Sequence, residues 1–131
     1  MKCKTSPQVG KKITEEGLTK DLAYVLGGIL VHEVLSDICA PRPGLKVLEP
    51  GCGSGKLGIW YSIQGAVVDL LDFDPCALDY AKELYRRIRA QYPKYHPPYI
   101  PTFFQGSIHR LPFPTNSYDF VFNEGLSLIH I

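Results

Sequence analysis

The chain has 131 residues and a net charge of +1, enough length for one domain with its own core. Charge so near neutral excludes an overall electrostatic pull on nucleic acid or membranes. At 45% apolar and 21% charged residues the composition is that of an ordinary soluble domain. Cys3, Cys39, Cys52 and Cys76 lie too far apart for a zinc-type C-x₂₋₄-C pair. Met1 to Gly10 has no apolar h-region, and Leu22 to Ile38 is interrupted by His32, Glu33 and Asp37 and is too short for a bilayer. These features predict a cytoplasmic protein with no membrane partner and no metal site.

Residues 1–18 read as a loosely held leader, and residues 19–131 as the domain. A helix is predicted from Thr19, with Leu22, Val25, Leu26, Ile29, Val34, Leu35 and Ile38 at helical spacing. Pro41, Pro43 and Gly44 end it. Leu45 to Leu48 fits a buried strand that runs into Glu49-Pro50-Gly51-Cys52-Gly53-Ser54-Gly55. A short helix follows, with Leu57, Ile59, Trp60 and Ile63 apolar and Gly65 as its stop. Ala66 to Phe73 reads as the second strand. Asp74-Pro75 then supplies a cap and a proline at the first helical position, opening a helix to about Gln91. On that helix Lys82, Arg86, Arg87 and Arg89 read as a solvated face. The prolines between residues 93 and 101 predict a stiff loop, followed by a strand over Thr102 to Gln105. Leu111 to Asn116 reads as a turn, and Tyr118 to Phe122 as the last strand.

Strands alternating with helices predict an α/β fold, Rossmann-like, with a mostly parallel open sheet. In such sheets ligands sit beyond the carboxyl ends of the strands. Three glycines within five residues at the first strand end suit a backbone that takes positive φ or approaches a ligand closely. A tight turn without a ligand is the plainer alternative. Glu49, two residues before the first glycine, would repel a phosphate and suit an ammonium, which separates an adenosyl-amino-acid cofactor from a dinucleotide. Asp72, about twenty residues later, can accept both hydroxyls of a ribose. Asp69 competes with it but lies inside the strand, where it would alternate outward, and Asp74 is better explained as the helix cap.

Val47 to Gly55 resembles the first motif of the class I S-adenosylmethionine-dependent methyltransferases, and Asp72-Phe73-Asp74-Pro75 resembles their acidic second-strand motif. Gly106-Ser107-Ile108, Leu111-Pro112-Phe113 and Ser117 to Phe122 are similar to that family's later segments. The resemblance covers Leu45 to Gly125. It implies strand order 3-2-1-4 and S-adenosyl-L-methionine as cofactor. It places Glu49 near the methionine end, with Gly51, Cys52, Gly53 and Gly55 around the cofactor and Asp72 on the ribose. It also places Phe73 and Ile108 near the adenine and Asn123 beneath the sulfonium. Ser107 departs from the pattern, since it stands where the family often has an aspartate on the adenine amino group.

Methyl transfer is displacement at an activated sulfonium, so alignment and desolvation are the protein's main tasks. No catalytic base is assigned. His32, His96 and His109 have no partners at metal spacing and read as surface or satisfied histidines. The sequence also predicts that the chain stops short of the acceptor-binding half, as a truncated reading frame, with Leu126 to Ile131 reading as adapter-derived. Two alternatives stand beside the methyltransferase: a module that binds the cofactor without transferring methyl, and an NAD(P)-dependent oxidoreductase. The oxidoreductase matches G-x-G-x-x-G at Gly53, Gly55 and Gly58. Phe122-Asn123-Glu124-Gly125 lacks the signature of methyltransferases acting on base or glutamine amino groups, which leans the acceptor towards a small molecule.

Overall fold

The computed structural model describes residues 25, 29–91 and 99–123. The elements run α1 (Ile29–Cys39), β1 (Lys46–Pro50), α2 (Lys56–Ser62), β2 (Val67–Asp72), α3 (Pro75–Gln91), β3 (Thr102–Gln105) and β4 (Phe120–Val121). The leader, the Thr19 cap, most of the proline-rich loop and Leu126 to Ile131 lie outside the described residues. The four strands form one parallel sheet in the order β3-β2-β1-β4. Their carboxyl ends therefore share one edge, the edge at which an open α/β sheet binds ligands.

Strand periodicity sorts the two faces. Val47, Val68 and Leu70 point to the side covered by the helices, in a core with Leu57, Ile59, Tyr61, Leu84 and Ile88. Tyr61 is fully buried, and its hydroxyl donates to the Cys39 carbonyl at 2.7 Å, which ties the end of α1 to α2. Burial, and then the nearby Cys39 thiol, push that phenol up to about 12. His32 on α1 stacks on Trp60 at 4.2 Å between ring centroids, which packs α1 against α2.

The structure differs from the sequence reading in four places. The last strand is only Phe120–Val121. Before it, the Asp119 carboxylate accepts the Lys46 N–H at 2.9 Å while the Asp119 N–H donates to the Lys46 carbonyl at 2.8 Å. Val34 and Ile38 are exposed. The stripe of α1 that packs on the core runs instead through Val31, Leu35 and Cys39, spaced four apart as one helix face requires. Asp69 faces cover rather than solvent, because the loop of residues 111–118 lies over that side of the sheet. The Tyr118 hydroxyl donates to Asp69 at 2.6 Å.

The basic face of α3 is the fourth difference. Arg86 is exposed, but Arg87 is only 9% exposed, so the stripe is not uniformly solvated. Both pair with Glu83, at 2.7 and 3.0 Å. Hydrogen bonding from Arg86, and then Arg87, holds the Glu83 carboxyl below its ordinary value. Lys82 lies over the Phe103 ring at 5.9 Å, within cation–π range.

Candidate cofactor site

The first strand end is a turn that only glycine tolerates easily. Gly51, Gly53 and Gly55 have φ of 65°, 57° and 74°, the left-handed region that costs other residues roughly 1–2 kcal/mol. Gly55 is also crowded, since a Cβ there would lie 3.0 Å from Ala81. The loop is pinned from two sides. The Cys52 N–H donates to the Leu71 carbonyl at 3.0 Å, and the Gly53 N–H donates to Asp72 Oδ2 at 2.9 Å.

Asp72 thus has a structural task besides the one its position suggested. Its second oxygen, Oδ1, accepts the Asp74 N–H at 2.9 Å. A carboxylate has about four lone-pair sites, so two remain for a pair of hydroxyls. Asp74 is the α3 cap, its Oδ1 accepting the Cys76 N–H at 2.9 Å.

Glu49 is only 3% exposed, and its Oε1 accepts the Gly58 N–H at 3.1 Å in the first turn of α2. A carboxylate at a helix N-terminus satisfies a donor the helix leaves open and meets the favourable end of its dipole. Gly58 was visible in the sequence only as the third glycine of G-x-G-x-x-G, and its importance lies in packing. A Cβ on it would come within 2.2 Å of Leu70 and 3.0 Å of Glu49.

Cys52 is buried and its Sγ lies 3.6 Å from the Gly53 carbonyl. Burial, and then the charges of Glu49 and Asp72, raise its thiol far above the ordinary 9.0. The thiol is therefore a neutral packing group, not a nucleophile. In the native protein it is expected to resist iodoacetamide at pH 8 and to react once the chain is unfolded, as read by peptide mass spectrometry. Because the folded state raises this acid's pKa, the linked stability is complete below about pH 9 and declines as pH rises above it. Rapid alkylation of native Cys52 would refute the assignment.

A cavity of about 420 Å³ opens where these strand ends meet, within the roughly 300–1,000 Å³ usual for small-molecule sites. Gly51 forms its floor, Asp72, Phe73 and Asp74 one wall, and Ser107, Ile108 and His109 the other. Phe73 is 77% exposed, an aromatic ring held out beside the cavity. Of the predicted residues, Gly51, Asp72, Phe73, Ser107 and Ile108 are brought together here. Glu49, Cys52, Gly53 and Gly55 build the turn behind it. Asn123 is exposed after β4 and does not line the cavity. His109 does, and the sequence reading missed it. Its signal was position alone, two residues after Ser107 in the segment that leaves β3. Its main-chain N–H donates to Ser107 Oγ at 3.1 Å.

Among the described residues no cluster of His, Cys, Asp or Glu is arranged to hold a metal ion, and no helix is long and apolar enough to cross a membrane.

The comparisons with known proteins converge. A family model described as "Methyltransferase domain" matches residues 47–131. An uncharacterized methyltransferase of Bacillus subtilis, YodH, is 26% identical over 100 residues, covering 76% of this chain and 39% of that protein. A ribosomal protein L11 methyltransferase of Nitratiruptor is 50% identical over 38 residues, 29% of this chain and 14% of the relative. The magnesium protoporphyrin IX methyltransferase of Synechocystis, solved with S-adenosylmethionine, superimposes with a TM-score of 0.60 at 25% identity, over 95% of this chain and 55% of that one. A TehB-like S-adenosylmethionine-dependent methyltransferase from Corynebacterium glutamicum gives 0.58 at 25%, over 89% and 57%. The chain thus spans well under two thirds of the relatives it matches.

Proposed function

The chain belongs to the methyltransferase-domain family, and from that premise we propose that its carboxyl-edge cavity binds S-adenosyl-L-methionine, as the cofactor-binding half of a methyltransferase. The observation that carries this is Asp72, anchored by two backbone N–H groups with two lone-pair sites left over, beside an exposed aromatic ring and a positive-φ glycine floor. That set fits a nucleoside carrying an amino acid. Asp72 accepts the ribose hydroxyls, and Phe73 and Ile108 pack against the base. Ser107 meets the base edge. Gly51 and Gly53 let the backbone approach the amino-acid portion, and Glu49 adds the negative charge that favours its ammonium. Asn123 is assigned to the sulfonium end.

When bound, the cofactor supplies a methyl group already activated on a positively charged sulfur. What the chain's own residues contribute is grip and direction. The strand ends hold the cofactor at three points along its length, and holding reactants in register is worth a large part of a displacement barrier. The acceptor is proposed to be a small molecule.

Glu49 also speaks against a dinucleotide. It occupies an N–H of the first turn of α2 and sets a buried negative charge where a pyrophosphate would lie. A cytoplasmic setting belongs to the same proposal and rests on composition.

Calorimetric titration with S-adenosylhomocysteine, with NAD in parallel, tests the reading. S-adenosylhomocysteine is expected to bind and NAD to give no heat. Binding of NAD alone would overturn it. Binding without turnover on any acceptor would assign the chain as a cofactor-holding module.

A further inference from the structure

The two walls of the cavity differ in chemistry. Asp72 and Asp74, both carboxylates, stand on the β2 wall, whereas Ser107, Ile108 and His109 form the β3 wall. With the ribose at Asp72 and the base between Phe73 and Ile108, the polar edge of the base meets the β3 wall. No carboxylate or obligate cation lines that wall. The groups on it are a hydroxyl and an imidazole, and each of these, when neutral, carries both a donor and an acceptor.

The local hydrogen bonding keeps that ambivalence. Ser107 Oγ accepts the main-chain N–H of His109 at 3.1 Å. This occupies one lone pair and leaves the hydroxyl one hydrogen to donate and one lone pair to accept with. A 6-aminopurine presents a donor at its 6-substituent and an acceptor at N1. A 6-oxopurine presents the reverse, an acceptor at the 6-substituent and a donor at N1. A fixed acceptor such as a carboxylate would distinguish them, because one pairing leaves two acceptors facing each other. A rotatable hydroxyl pairs with either.

We propose that Ser107 makes this site permissive at the purine 6-position, so that it takes the 6-oxo counterpart of the cofactor nearly as well as the 6-amino form. The proposal rests on the cofactor reading above. It makes Ser107 a specificity-determining residue through its neutrality.

The test is calorimetric titration of the protein with S-adenosylhomocysteine and with S-inosylhomocysteine, its 6-oxo analogue. The two dissociation constants are expected to agree within about tenfold. In Ser107→Asp the preference for the 6-amino ligand is expected to rise to about fiftyfold or more, as a charged hydrogen bond gained by one ligand and denied to the other implies. Ser107→Ala is expected to weaken both ligands alike. A preference above about tenfold in the unsubstituted protein, or an unchanged ratio in folded Ser107→Asp, would overturn the proposal and leave the cofactor reading intact. Failure of both ligands to bind would overturn the two together.

Discussion

Gly58→Ala is expected to lower folding stability by about 1–2 kcal/mol, measured by chemical denaturation, although alanine is the better helix former. The two effects oppose each other. Replacing a helical glycine by alanine gains roughly 1 kcal/mol in propensity. Overpacking a filled core costs roughly 1–3 kcal/mol and sometimes more. Here the new methyl would stand 2.2 Å from a Leu70 methyl and 3.0 Å from the Glu49 carboxylate. Leu70 is fully buried at the centre of β2 and has little room to swing aside. Glu49 is held in place by the Gly58 N–H itself, so a shift of α2 that relieved the clash would stretch that bond. Packing should win.

Leu70→Ala, alone expected to cost about 2–5 kcal/mol as a cavity, removes the atom that clashes. The double substitution should therefore be more stable than the two costs added, by at least about 1 kcal/mol. Additive costs, or a Gly58→Ala protein within about 0.5 kcal/mol of the parent, would show that α2 can back away from the sheet and that the tight approach is not required.

Asp72→Ala is expected to weaken S-adenosylhomocysteine binding by at least about 100-fold. Hydrogen bonds to a charged group contribute roughly 1.5–3 kcal/mol each, and 2.7 kcal/mol is already a factor of about 100. Two such bonds to a ribose would account for the loss. A second route acts through the loop. Without the carboxylate the Gly53 and Asp74 N–H groups lose their acceptor, and the glycine turn is no longer tied to the end of β2. Asp72→Asn separates the routes. Its single carbonyl oxygen, with two lone pairs, can still serve one backbone donor and one hydroxyl, so the expected loss is nearer tenfold, with the fold retained. Circular dichroism and a denaturation midpoint on both variants show whether the turn has survived. A folded Asp72→Ala that binds like the parent would remove the ribose from Asp72 and leave this residue only its loop-fastening role.

Much of the architecture was legible before any coordinates. The alternation of strands and helices, the three-glycine turn and Asp74-Pro75 at a helix start are local signals, set by backbone stereochemistry within a few residues. The parallel order β3-β2-β1-β4 followed from the resemblance of the motifs. Strand ends were less legible. Pro50 closes β1 although proline has no N–H to give a ladder, and β4 is shorter than its apolar run because Asp119 is committed to Lys46.

What the sequence by itself determined is the set of elements, the edge at which a ligand would meet them and the residue types gathered there. Those depend on periodicity, on the backbone freedom of glycine and on the fixed φ and missing N–H of proline, all of which are local properties of the chain. Only the tertiary structure decided what the charged and small residues touch. Glu49 became a buried helix cap, Asp72 a fastener for the turn, Asp69 the partner of Tyr118, Arg87 a buried cation on Glu83, and His109 part of a cavity wall. Each of those contacts, apart from the one-turn Glu83–Arg87 pair, depends on segments meeting in space. The distance from Gly58 to Leu70, likewise, exists only after α2 has docked on the sheet.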